Sequence, residues 1–238
     1  MTEIPCATMP AVLPVLRLWS KNAQNRCAFD DIMSYWMAHD VITFLVDLER
    51  YQTALHNFLT QNEKEQALHF KTVISRQRFV VSRSILKKIL LEILSGENIA
   101  DMVLTRSEGG RILVKDQPHI FISLSYSGSC IAITLGKSKV GSDIERVRPI
   151  PDKKIISNPV FNYYLFRNDT ERIWQVIHVW TQIESCAKLF DTNPYALLNT
   201  PGLFRNAHFV SYYINHQSIF SLASLQGHVT DLLVWLDE

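Results

Sequence analysis

The sequence predicts an α+β fold, and three observations carry that reading. Residues 60–94 form the clearest helical region, with Ala67, Phe70, Ile74, Val81, Ile85, Ile89 and Leu90 at helical spacing. Several short β-branched or alternating runs, each bounded by turn residues, read as strands. The two kinds of element mix without a repeating strand–helix unit, which favours α+β over a doubly wound sheet.

In chain order, residues 1–39 carry prolines near their start and read as an extension whose Trp19, Phe29, Tyr35 and Trp36 cover a neighbouring surface. Residues 41–48 are apolar and β-branched enough for a strand. Thr60 or Asn62 is placed to cap the long helical region and Gly96 follows its end, with a break expected at 72–75. Gly109-Gly110 reads as a turn between two short strands. Residues 120–124 and 130–135 read as paired strands around a turn at Tyr126-Ser127-Gly128-Ser129. Residues 139–145 make a further strand, ended by the Pro149 and Pro151 region. Residues 173–190 are strongly helix-periodic, and 208–215, 218–225 and 229–236 alternate like a three-stranded meander.

Composition narrows the class of function. The chain has 238 residues, enough for one large domain or two small lobes, and 47% of them are hydrophobic. A formal net charge of +1 offers no whole-chain argument for nucleic-acid or membrane-surface binding. Cys6, Cys27, Cys130 and Cys186 form no CxxC pair, so the expectation is reduced thiols in a cytoplasmic protein. The apolar stretch 11–19 is interrupted by Pro14 and Arg17 and is too short to span a bilayer. No P-loop, GxGxxG or HExxH occurs.

Two segments carry potential chemistry. In a strand, Asp143 and Glu145 of Val140-Gly141-Ser142-Asp143-Ile144-Glu145 point one way and Ile144 points into the core. Two carboxylates on one strand face repel unless a cation or basic group lies between them, and a hard cation such as Mg²⁺ satisfies both. Ordinary surface acids fit the same pattern. In Trp180-Thr181-Gln182-Ile183-Glu184-Ser185-Cys186-Ala187-Lys188, helical spacing puts Trp180, Glu184 and Lys188 on one stripe. A solvated Glu–Lys pair fits that as well. Arg76, Arg78, Arg83, Lys87 and Lys88 make a basic run on the long helix, readable as a solvated face or as a phosphate-binding one.

Taken in order, Gly110-Arg111-Ile112, Ser125-Tyr126-Ser127, Gly141 to Glu145 and Trp180 to Lys188 resemble the motifs of the 4′-phosphopantetheinyl transferase superfamily, in its larger pseudo-dimeric (surfactin-synthetase-activating) class. The helix around Arg78, Phe79, Arg83 and Leu86 resembles the helix that precedes those motifs. The resemblance covers about residues 41–190. It implies two pseudo-twofold-related α+β lobes, an N-terminal one over 40–118 and a C-terminal one over 119–238, after an extension over 1–39. Coenzyme A would lie in the cleft between the lobes, and the default state is a monomer. Asp143, Glu145 and Glu184 would hold Mg²⁺, or Mn²⁺, against the pyrophosphate. Glu184 would also deprotonate the serine of an acyl or peptidyl carrier protein, and Lys188 would offset charge. Ser125, Tyr126, Arg111 and Arg78 correspond to positions that contact coenzyme A. The implied setting is polyketide, nonribosomal peptide or fatty acid biosynthesis.

Five departures from the family pattern support a second reading. Tyr126 stands for a histidine, Ile183 for a lysine and Ile112 for a proline, the often basic start of the long helix reads Asn62-Glu63-Lys64-Glu65-Gln66, and residues 158–166 lack an expected glutamate. The alternative is a transferase-like protein that binds coenzyme A or a carrier domain without transfer.

Overall fold

The computed structural model describes residues 16–17, 26–51, 58–94, 102–148, 172–199, 201–214, 217–227 and 231–236. Its first elements are β1 (Leu16–Arg17), β2 (Arg26–Cys27), a 3-10 turn (Phe29–Asp31), α1 (Ile32–Ala38) and β3 (Val41–Asp47). Two helices follow, α2 (Gln61–Leu68) and α3 (Val73–Ile93), then the short strands β4 (Leu104–Arg106) and β5 (Ile112–Val114). The central run is β6 (Phe121–Ser127), β7 (Cys130–Gly136) and β8 (Val140–Arg146). The chain closes with α4 (Arg172–Phe190), α5 (Pro194–Asn199), α6 (Pro201–Phe204), β9 (His208–Ile214), β10 (Ser218–Ser224) and β11 (Asp231–Leu236). The fold is α+β.

Three sheets result, ordered β1-β9-β10-β8, β2-β11-β3-β7-β6 and β4-β5. Alternation along β3 explains how the two larger sheets are covered. Ile42, Phe44 and Val46 face a core shared with Ile32 and Trp36 of α1 and Ile85 and Ile89 of α3. Val41 and Leu45 face the opposite way, toward Val140 and Ile144 of β8 and Phe220 and Leu222 of β10. The five-stranded sheet therefore lies between helices and the four-stranded sheet. Strands β3, β6 and β7 share that sheet, so the expected lobe boundary at 118/119 runs between hydrogen-bonded neighbours.

The helical region divides as its caps dictate. Thr60 accepts a hydrogen bond from the Glu63 N–H, and the Glu63 carboxylate accepts one back from the Thr60 N–H, a capping box that starts α2. Thr72 caps α3 by accepting from the Ser75 N–H at 3.2 Å, without a reciprocal bond. The break lies at 69–72, and Ile74 is exposed rather than facing the core.

Several local expectations are corrected. Tyr126 lies inside β6, and the hairpin turns at Gly128-Ser129, where Gly128 has φ 59. Residues 29–36 do more than cover a surface, because Phe29, Ile32 and Trp36 belong to the main core. β9 and β10 pair antiparallel as expected, but β11 does not complete a meander. It runs parallel to β3 in the other sheet, where Leu232, Val234 and Leu236 pack on one face and Leu233 and Trp235 on the other. A strand apolar on both faces requires cover on both. Gly96, Pro149, Pro151 and residues 158–166 lie outside the described residues. Among the described residues, no helix is long and apolar enough to cross a membrane.

Candidate functional site

The site is built where α4 lies on β8. Gly141 makes that contact possible. A Cβ there would fall 2.0 Å from the Ser185 carbonyl oxygen and 2.4 Å from the Leu189 nitrogen, so any side chain would force the helix off the strand. With backbone against backbone, Lys188 reaches down to β8. Its Nζ donates to Asp143 Oδ1 at 2.8 Å and to the Ser142 carbonyl at 3.0 Å. The other oxygen of Asp143, Oδ2, is buried and has no hydrogen-bond partner.

Electrostatics link the acids of both elements. Burial pushes the Asp143 carboxyl above the ordinary range, against the pull of Lys188. Burial and the Asp143 charge raise Glu145, with Arg148 at 3.8 Å acting in the opposite sense. Glu184 is pushed up to about 7, first by burial and then by Asp143. The Asp143 charge thus raises both glutamates, and Glu145 adds to the rise of Glu184. The orphaned Asp143 oxygen is an acceptor of the kind a hard cation takes. Among the described residues, no group of three or more His, Cys, Asp or Glu is placed so that it could hold a metal ion. Lys188 supplies the positive charge in the arrangement seen.

The edge strand β6 meets β8 through serines rather than a backbone ladder. Ser123 Oγ accepts from the Ser142 N–H at 2.9 Å and donates to its carbonyl at 3.3 Å. Ser127 Oγ accepts from the Arg146 N–H at 2.5 Å. Ser125 lies between these rungs on the same face of β6, buried, and its hydroxyl has no partner. The middle rung is open, beside the acids of β8.

The remaining expected contacts lie on two other elements. Tyr126 Oη shares a 3.0 Å hydrogen bond with Ser82 of α3. Arg78 Nη2 donates to the Gly128 carbonyl at 2.6 Å while its Nε is buried without a partner. Arg111 Nη2 donates to the carbonyls of Lys188 and Leu189 at the end of α4, the latter at 2.9 Å. Ile183 is buried among Val176, Val179 and Leu197, in the core beneath α4.

The basic run on α3 is divided: Arg76 is exposed, Arg78 and Lys88 are partly buried, and the other two cations are buried. Lys87 is fully buried and pairs with Glu63, and Arg83 is buried with Phe79 5.6 Å beneath its guanidinium. Arg83 Nη1 has no partner, and burial followed by the Arg106 charge lowers its pKa. Sequence reasoning placed Arg83 only within that basic run and the family-like helix, although Phe79 and Arg83 at i, i+4 signalled a cation beside an aromatic ring. The bridging serines 123 and 127 gave only the alternation of a half-polar strand.

Comparison of the chain with protein-family models and with curated proteins finds no match.

Proposed function

We propose that the chain transfers 4′-phosphopantetheine from coenzyme A to a serine of an acyl or peptidyl carrier protein, in the cytoplasm and with Mg²⁺. One observation carries the reading. Asp143, Glu145, Glu184 and Lys188, drawn from two distant segments, form one electrostatically coupled set at the β8–α4 contact. The order of the family-like segments along the chain adds to it.

In the proposed reaction the carrier serine Oγ forms a bond to the phosphorus bearing pantetheine. The bond from that phosphorus to the bridging oxygen breaks, and 3′,5′-adenosine diphosphate leaves with the electron pair. Glu184 takes the serine proton. A carboxyl held near neutrality suits that task, since a base works best when its pKa is close to the ambient pH. Asp143 and Glu145, with Glu184, are the residues that would hold the metal, which when bound supplies positive charge to the pyrophosphate oxygens. Lys188 holds Asp143 in place before the cation arrives. The orphaned hydroxyl of Ser125 and the orphaned Nε of Arg78 offer donors for phosphate oxygens.

A second reading, binding of coenzyme A or a carrier domain without transfer, draws on a different observation. Tyr126 Oη and Arg111 Nη2 already have partners within the chain, and Lys188 already occupies Asp143 Oδ1.

Intact-mass measurement of an apo carrier domain incubated with the protein, coenzyme A and Mg²⁺ separates the two. A gain of one phosphopantetheine group that needs both additions supports transfer. Unchanged mass with retained coenzyme A binding supports the second reading.

A further inference from the structure

We infer that Arg111 is a positioning residue, which sets Lys188 against Asp143 by clamping the C-terminal turn of α4 to the β4–β5 turn.

The helix ends in a strained way. The Thr192 N–H donates to the Ala187 carbonyl at 2.9 Å and the Asp191 N–H to the Lys188 carbonyl at 3.4 Å, the bond pattern of a Schellman cap. That cap requires a left-handed residue after the helix, usually glycine, yet here it is Asp191 with φ 54. A partner from elsewhere holds Asp191 there. Its Oδ1 accepts from the backbone N–H of Arg111 at 3.3 Å, and Gly109 packs so tightly that a Cβ would fall 2.2 Å from the Asp191 carbonyl oxygen.

The side chain of Arg111 completes the clamp. Its Nη2 bridges the carbonyls of Lys188 and Leu189, groups left open at any helix end. The turn that presents it is itself braced, because the Arg111 N–H also donates to Ser107 Oγ at 2.9 Å and Gly110 takes φ 95. The backbone of Lys188 is therefore held from one side by Arg111, while its Nζ is held from the other by Asp143 and Ser142. Both bonds come from Nη2, one atom further along the side chain than a lysine Nζ would reach, while Nη1 is buried without a partner.

For its catalytic consequence this inference rests on the proposed transferase reading; for the placement of Lys188 it does not. The test uses the full chain labelled with ¹⁵N-lysine, with the Lys188 Nζ signal assigned by its loss in Lys188→Arg. Arg111→Met and the milder Arg111→Lys are each compared with the parent protein, with thermal melting to confirm folding. Both variants are expected to shift or lose the Lys188 Nζ signal. Transfer is expected to show kcat down by about 10²-fold and the coenzyme A KM within about threefold, as for a misplaced group rather than a lost contact.

An unchanged Lys188 signal in both variants overturns the inference. So does the opposite kinetic split, with KM raised, kcat kept and Lys able to rescue, because that marks a direct phosphate contact. If the parent protein transfers nothing, the transferase reading fails and the Nζ signal alone decides this one.

Discussion

Lys188 and Asp143 form an ion pair across the α4–β8 contact, with Nζ 2.8 Å from Oδ1, and the two partners are unequally buried. The Asp143 side chain is 7% exposed and that of Lys188 30%. Loss of one partner therefore differs from loss of the other. Lys188→Met strands a buried carboxylate and is expected to cost about 2–4 kcal/mol of stability, against about 1–2 kcal/mol for Asp143→Asn, where the ammonium can turn to water. The Lys188→Met penalty should shrink at pH 5, because a stranded Asp143 can protonate. Urea unfolding of both variants at pH 5 and pH 8 checks this, and equal, pH-independent penalties would refute it.

Glu184 provides a pH test with a defined sign. Its carboxyl is raised from the ordinary 4.5 to about 7, so the native state binds more protons than the unfolded chain between those values. Its stabilising contribution is full below 4.5 and lost as pH rises through about 7. Glu184→Gln should remove that falling limb from the stability profile. If Glu184 is the base, transfer should rise with pH through the same region in the parent protein and be low and flat in the variant.

His178 has the opposite linkage. Burial depresses it from 6.5 to about 4, and its Nε2 lies 2.9 Å from Ser211 Oγ and 3.0 Å from Gln182 Nε2. Its contribution is present above 6.5 and lost as pH falls toward about 4. His178→Gln should flatten that acid limb while leaving the Glu184 limb in place. Thermal melts from pH 4 to pH 8 distinguish the two.

Gly141→Ala tests the backbone contact itself. The new methyl group would meet the Ser185 carbonyl and the Leu189 nitrogen, both backbone atoms that cannot swing aside. Overpacking of this kind typically costs about 1–3 kcal/mol, and displacement of α4 should take Glu184 and Lys188 out of register with Asp143. Activity should fall more steeply than stability. Turnover like the parent's in a folded variant would show that α4 need not touch β8.

The serine rungs give a paired test. Ser123→Ala removes a hydroxyl bonded to both the N–H and the carbonyl of Ser142, and buried groups left unsatisfied typically cost about 1–3 kcal/mol. Ser125→Ala removes a buried hydroxyl with no partner in the chain and should be neutral or slightly stabilising. If Ser125 meets a phosphate, only its variant should raise the KM for coenzyme A. Chemical denaturation and steady-state kinetics on both variants read this out.

The local elements were legible because their causes are local. The spacing of Val81, Ile85 and Ile89 set the buried face of α3, and Thr60 was one of the two caps the sequence offered for the start of the helical region, whereas the cap at Thr72 was not read. Alternation along residues 140–146 put Ile144 in the core with Asp143 and Glu145 facing the other way. The partner of β11 was not legible, since its apolar faces say that it must be covered and not by which sheet. For Lys87 the sequence left a solvated and a phosphate-binding face equally open, because its pairing with Glu63 depends on how α2 folds back onto α3.

The sequence by itself determined the α+β class, the order of the elements and the residue types available for chemistry, since periodicity, caps and turns act over a few neighbouring residues. Only the tertiary structure decided that Lys188 bonds Asp143, that Arg111 clamps the end of α4, and that Ser125 and Asp143 each keep an unpartnered oxygen. Each of these joins, or leaves unjoined, atoms far apart along the chain. Their geometry comes from sheet order and from the close approach that Gly141 allows, and no local pattern encodes either.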